Sequence, residues 1–234
     1  MVRIYHENQG TPGYRMIADY LALKNIRCSY PTVYAYLSEL GLKSIIRRKK
    51  PGYIRGNAHR VFPDLLNQKF NVGGPLQVWA CDFTYFILGN GMTVYNCSII
   101  DLCKRNIVAT LNGRSMNAKL AIETLKIAIK RHQPPRGIIF HTDQGSQFTA
   151  KEFHEFCKKH HIQQSMSRAG CPYDNAPMER FFNTLKHEFF HLYNFRSIEI
   201  LNEKTYDFIY VKYNNQRPHR YNNGLPPNVA LRAA

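Results

Sequence analysis

Acidic residues are scarce in this chain. Its 234 residues hold 16 Asp and Glu against 32 Lys and Arg, a net charge of +16. Such an excess is the footprint of a polyanionic partner, nucleic acid first, and the plainer alternative is a merely basic globular protein. Cysteine patterning is absent as well. Six cysteines occur with no CxxC pair and no zinc-finger spacing, and the one faintly ligand-like run, Cys157–His161 (CKKHH), reads as incidental. No structural zinc module is therefore expected, and the thiols are expected to stay reduced. Neither a signal-peptide pattern nor an apolar run of membrane length is present. That excludes a helical membrane span and leads us to expect a cytoplasmic, nucleoid-associated protein.

What is present is a globular composition, 44% hydrophobic and 21% charged, in a chain long enough for one good core and a small satellite domain. The positive charge is denser at the front, where the first 76 residues carry 12 basic and 4 acidic side chains. Its centre is Ile45–Lys50 (IIRRKK), and we assign Arg47, Arg48, Lys49 and Lys50 to phosphate contacts, although such a run also serves as a solvated linker. Ahead of it lie two amphipathic patterns. Tyr14, Ile17, Ala18 and Leu21 share one helical face, and Val33, Tyr34, Leu37 and Leu40 another. Ser29 or Tyr30 with Pro31 starts the second helix and Gly41 ends it. Residues 1–45 thus predict a helix-turn-helix, a pattern shared by any helical hairpin. A basic linker follows over 46–76 and a catalytic core with a helical extension over 77–234.

Three β-rich runs open that core: VWACDFTYFIL, MTVYNCSIIDLC and RNIVATLNG, with a hairpin signal, GNG, at the first break. A helix is predicted over Asn117–Arg131, a strand in GIIFHTD, a helix through SQFTAKEFHEFCKKH and a short strand in IQQSMS. Two more helices follow, through DNAPMERFFNTLKHEFFHL and over Ile198–Tyr213, the first capped by Asp174 or Asn175. The order predicts an α/β fold, a mixed five-stranded sheet with helices on its faces.

Carboxylates stand in two of these strands where none is expected. Asp82 interrupts an apolar run that reads as a central strand, and Asp143 sits just past the end of the fourth. A buried carboxylate needs a cationic partner, and a metal ion between the two would justify both. The helix through Glu179 supplies a third acid. At 100° per residue, Asn183 and Lys186 fall within about 40° of Glu179, while Met178, Phe181, Phe182, Leu185 and Phe189 lie together on another face. A solvent-facing role for Glu179 is the plainer reading, and the set of three acids argues against it. Sixty residues separate Asp82 from Asp143, and 35 separate Asp143 from Glu179.

With that spacing, the segments QVWACDFTYF, HTDQGSQF, SMSRAGCPYDNAPMERFFNTLKHE and YNNQRPH resemble the second-frame transposases of the bacterial IS-three insertion-sequence family, whose core is integrase-type and ribonuclease-H-like. The resemblance covers essentially the whole chain. It implies that Asp82, Asp143 and Glu179 are the metal-binding catalytic triad. Two Mg²⁺ ions are implied there, with Mn²⁺ a possible substitute. Lys186 matches the basic residue such enzymes place on DNA, and Asn183 and Arg180 beside it are further DNA-binding candidates. The implied activity is DNA nicking and 3′-hydroxyl strand transfer on the element's terminal repeats and target DNA, by a homo-oligomer assembled on DNA. Family members usually extend further at the front and often receive an upstream DNA-binding part by frameshifting, so an upstream-frame partner or fusion is also expected. The alternative is a catalytically silent or truncated DNA-binding derivative that regulates an active transposase. His141 reads either as orienting a ligand or as structural, and Asp101 as stabilising a turn.

Overall fold

The computed structural model describes residues 1–45, 61–168 and 172–233. Three helices open the chain: α1 (Val2–Glu7), α2 (Tyr14–Leu23) and α3 (Tyr30–Glu39). The first was not anticipated, being only six residues long. Ile4, Ile17, Ala18, Leu21, Val33 and Leu37 form their common core, with Tyr14 packed against it, which accounts for the face predicted for α2; of the face predicted for α3, Val33 and Leu37 are buried, whereas Tyr34 and Leu40 are exposed. Ser29 caps α3 by accepting the Thr32 N–H at 3.2 Å, with Pro31 in the first turn, and Gly41 closes it at φ +67°.

Behind them a five-stranded sheet is built from β1 (Val78–Ile87), β2 (Thr93–Asp101), β3 (Ile107–Gly113), β4 (Ile139–Thr142) and β5 (Gln163–Met166). Its order is β3-β2-β1-β4-β5. The first three strands are an antiparallel meander, and β4 and β5 join β1 in parallel. The meander's first turn needs Gly91, at φ +81°, where the Leu88 carbonyl accepts its N–H. One sheet face packs on α4 (Ala118–His132) and α6 (Lys151–Lys159), with Trp79, Cys81, Leu125, Phe140 and Phe153 in the seam. The other packs on α7 (Ala176–His187) and α8 (Ile198–Tyr206), with Ala80, Phe86, Ile100, Phe181 and Leu185 between. A short helix α9 (Pro227–Arg232) comes last. Among the described residues no helix is long and apolar enough to cross a membrane.

Two helices expected to be continuous are interrupted, and a third changes its winding. The one through SQFTAKEFHEFCKKH divides into α5 (Ser146–Thr149) and α6, because Ala150 is extended at φ −60°, ψ 142°. Phe148 and Phe153, five apart, would diverge by about 140° on one helix. The break turns both inward, fully buried, with ring centroids 5.5 Å apart. The helix expected to reach Leu192 stops at His187. Glu188 turns in to meet Arg217, and Phe190 then stacks on Phe86 at 4.3 Å while Phe189 stacks on Phe208 at 5.0 Å. The last predicted helix widens after Tyr206 into a π-helical stretch, Asp207–Tyr213. There Phe208 and Tyr213, again five apart, both reach the core. The predicted cap of α7 is also absent. Asn175 makes no side-chain cap, and Asp174 is engaged elsewhere.

Residues 61–76 carry no helix or strand but lie along the core. Leu66 is 6% exposed, the Leu65 N–H donates to Ser165 Oγ, and Phe70 and Val72 pack against the α7 side.

Candidate active site

Strand β4 is short, and its brevity creates the site. It pairs with β1 only over Val78–Ala80, with Ala80 opposite His141. Two residues further along each chain stand Asp82 and Asp143. The parallel register therefore brings both carboxylates to the point where β1 loses its neighbour on that side. Asp82 shares its face of β1 with Ala80 and Phe86, the face covered by α7. Glu179 lies in the first turn of α7, half-buried.

Electrostatics tie the three together. The Asp82 carboxyl is held well above the usual carboxylate range, first by burial and then by the negative charge of Asp143, with Glu179 adding to it. The Phe83 N–H, donated to Asp82 Oδ1 at 2.7 Å, works in the opposite direction. Among the described residues the two side-chain charges that raise it, Asp143 and Glu179, are both negative. Asp143 is oriented by the Gly145 N–H, which donates to its Oδ1 at 2.9 Å. Among the described residues no three His, Cys, Asp or Glu side chains are drawn together closely enough to hold an ion as they are posed. In chemistry the donor set is one of hard carboxylate oxygens around a shared negative potential, which suits Mg²⁺ and Mn²⁺ rather than a soft metal.

The other predicted residues divide. Lys186 is half-buried beside Glu179's stripe, its Nζ 5.0 Å from the centroid of the Tyr85 ring, and burial lowers its pKa. Asn183 is exposed next to it. Arg180, also exposed, lines a cleft beside α2. Arg47, Arg48, Lys49 and Lys50 lie outside the described residues.

His141 takes the structural role. It is wholly buried, with Nε2 donating to the Asp174 carbonyl at 2.9 Å and Nδ1 accepting from Ser165 Oγ at 2.9 Å. Burial lowers its pKa. Asp101 does stabilise a turn, but through backbone and indole rather than the neighbouring cations. It accepts from the N–H groups of Leu76 (2.7 Å) and Cys103 (2.8 Å) and from Trp79 Nε1 (3.2 Å).

Two ion pairs that hold α7 in place went unread in the sequence. Asp174, just before the helix, binds Arg168 and the Gln68 amide, and Arg168 brings its pKa down to about 2. At the far end Glu188 receives a bidentate Arg217 at 2.6 and 2.7 Å. The second pair carried a signal, an acid on the greasy side of the helix that needed a buried cation.

Comparison with known proteins agrees with this architecture. Residues 73–172 and 160–227 match two families described as integrase core domains, and residues 1–50 match an HTH-like domain. The transposase InsF of insertion sequence IS3A from Escherichia coli is 36% identical over 90% of this chain and 73% of its own length. The putative transposase InsK of element IS150, from the same species, is 32% identical over 96% of this chain and 78% of its own. Among solved structures, the HTLV-2 integrase catalytic core domain in complex with magnesium matches with a TM-score of 0.51 at 17% identity, over 68% of this chain and 98% of its own. The catalytic domain of Mos1 mariner transposase matches with a TM-score of 0.50 at 16% identity, over 58% and 71%. A mixed sheet flanked by helices, integrase-type sequence over the core and an HTH-like front thus coincide, and the chain belongs to the IS3 family of insertion-sequence transposases.

Proposed function

We propose that Asp82, Asp143 and Glu179 form a divalent-metal site at which the chain nicks DNA and then joins the released 3′-hydroxyl to target DNA. The observation that carries this is Asp82: two further carboxylates act on a carboxyl placed at an open strand edge. A dication would draw the three acids together and relieve the repulsion between them, and the magnesium in the HTLV-2 integrase structure is consistent with that choice. Asp82, Asp143 and Glu179 would hold the ions, whose chemistry when bound would be charge stabilisation at the scissile phosphate and a nucleophile active at neutral pH. The chain's own contribution is positional. The Phe83 and Gly145 N–H groups fix the orientations of Asp82 and Asp143. Helix α7, anchored at both ends by Arg168–Asp174 and Arg217–Glu188, fixes the height of Glu179 over the sheet. Lys186 on the same helix supplies positive charge for a phosphate next to the scissile bond. No serine or tyrosine nucleophile is needed.

The substrates are the element's terminal repeats and the target DNA. A homo-oligomer on DNA, with an upstream-frame partner or fusion, is the assembly we propose, in the bacterial cytoplasm where that DNA lies. The HTH-like front binds DNA, with Arg47 to Lys50 tracking phosphates. The test is Mg²⁺-dependent nicking and strand transfer on the element's own ends. Asp82→Asn, Asp143→Asn and Glu179→Gln should each abolish both steps while DNA binding persists. Retention of either step by any one of them would overturn the triad.

A further inference from the structure

Where the front helices meet the core, a cleft of about 540 Å³ opens between the first turn of α2, the first turns of α7 and residues 217–221. Its walls are unusually cationic. Arg15, Arg105, Arg180 and Arg220 line it, joined by Arg217, which is already neutralised by Glu188. One carboxylate shares the wall, Asp19, and it accepts the Tyr30 hydroxyl at 3.1 Å.

Arg105 is the informative residue. It is only 8% exposed and its Nη2 donates to the Phe70 carbonyl at 3.0 Å, yet its buried Nη1 has no hydrogen-bond partner. A buried guanidinium N–H left unmatched leaves the charge of Arg105 incompletely answered by the protein and favours an anion beside it. The guanidinium carbon also lies 4.2 Å from the centroid of the Tyr221 ring. The first turns of α2 and α7 both border the cleft, and neither helix begins with a side-chain cap. The field is felt by His219, whose pKa is pushed down to about 4 by burial and then by Arg217, Arg105 and Arg180.

An anion alone would not use the rest of the wall. Tyr14, Tyr221 and Phe70 present flat apolar surface beside the arginines, the combination that stacks bases while holding the backbone. The volume suits one small ligand and is far too narrow for a duplex. We propose that this cleft takes a single unpaired nucleotide of the DNA substrate, its phosphate on Arg105, Arg15 and Arg180 and its base against Tyr14 and Tyr221. The inference rests on the reading of the chain as an enzyme acting on DNA. It adds a second point of grip on the far flank of the helix that carries Glu179.

The test uses the full chain in EDTA and about 0.1 M salt, where exposed charges are moderately screened. A labelled 12-nucleotide single strand and its matched duplex serve as probes, with fluorescence anisotropy as the readout. Tyr221→Ala and Arg15→Gln, both at exposed positions, are expected to weaken single-strand binding at least tenfold and duplex binding less than threefold. Arg105→Gln should do the same, with its melting temperature recorded alongside. A 5-iodouracil-substituted single strand should crosslink to Tyr14 or Tyr221. Equal losses on both probes would make the cleft a duplex-backbone site and overturn the proposal, as would unchanged affinity or crosslinks elsewhere. Chelation removes divalent-ion chemistry from this measurement, so failure here leaves the nicking test of the carboxylates standing, and the reverse.

Discussion

Replacing Asp82 with asparagine should make the metal-free protein more stable while destroying its activity. The reasoning starts from the raised pKa. Burial, Asp143 and Glu179 keep the Asp82 proton on in the folded chain to a higher pH than in the unfolded one. Across that window the folded state binds more protons, so stability falls as pH rises from the unfolded value near 3.9 through the folded one. Without metal the Asp82 carboxyl is therefore a net cost to the fold at pH 7.5. Asparagine keeps the shape, and its amide oxygen can still accept the Phe83 N–H, but the charge is gone. Relief of such functional-site strain is commonly worth about 0.5–2 kcal/mol. For a chain of this size that raises the melting temperature by about 1–8 °C. Mg²⁺ should invert the order. A ligand at 100 times its Kd stabilises the wild type by about 2.7 kcal/mol, and the asparagine variant should gain little of this. The assay is thermal melting at pH 7.5 and pH 5 in EDTA, then across a Mg²⁺ titration. The difference in EDTA should shrink at pH 5. An asparagine variant that melts below wild type in EDTA, or that gains as much from Mg²⁺, would refute the account of Asp82 as a carboxylate held against like charge for a cation.

Lys186→Ala should weaken DNA binding and reduce the slope of log K against log salt by about 1, read from a salt titration; an unchanged slope would leave the lysine only its contact with Tyr85. Arg217→Met should cost about 3–5 kcal/mol by stranding buried Glu188, while adding Glu188→Leu should restore much of the loss, as seen in chemical denaturation. Deleting residues 1–60 should cut DNA affinity steeply and leave a core that melts cooperatively. Deleting 1–76 should cost that core about 3 kcal/mol or more, since Leu66, Phe70 and Val72 go with it. Equal melting temperatures for the two truncations would show that residues 61–76 add nothing to the core.

What the sequence made legible was governed by short repeats. Period two exposed Asp82 as an intruder in a central strand, and period 3.6 separated the Glu179 stripe from the greasy face of α7; packing then had no freedom to place them otherwise. The interruptions at Ala150 and after His187 were not legible, because they arise from pairs of aromatic residues whose partners lie on distant elements. Phe148 and Phe153 read as an ordinary helical pattern until the sheet they must both reach is known. The arginines of the cleft show the same limit more sharply. Arg15, Arg105, Arg180 and Arg220 are spread over some two hundred residues, and each alone is one more basic side chain in a basic protein. Only the fold sets them against one another, and only burial makes the open Nη1 of Arg105 informative. The metal site proposed for three acids could be suspected because acids are rare here. A site assembled from arginines is hidden by their abundance, so in a strongly basic chain the unmatched buried donor, rather than the charge, is the feature that points to a ligand.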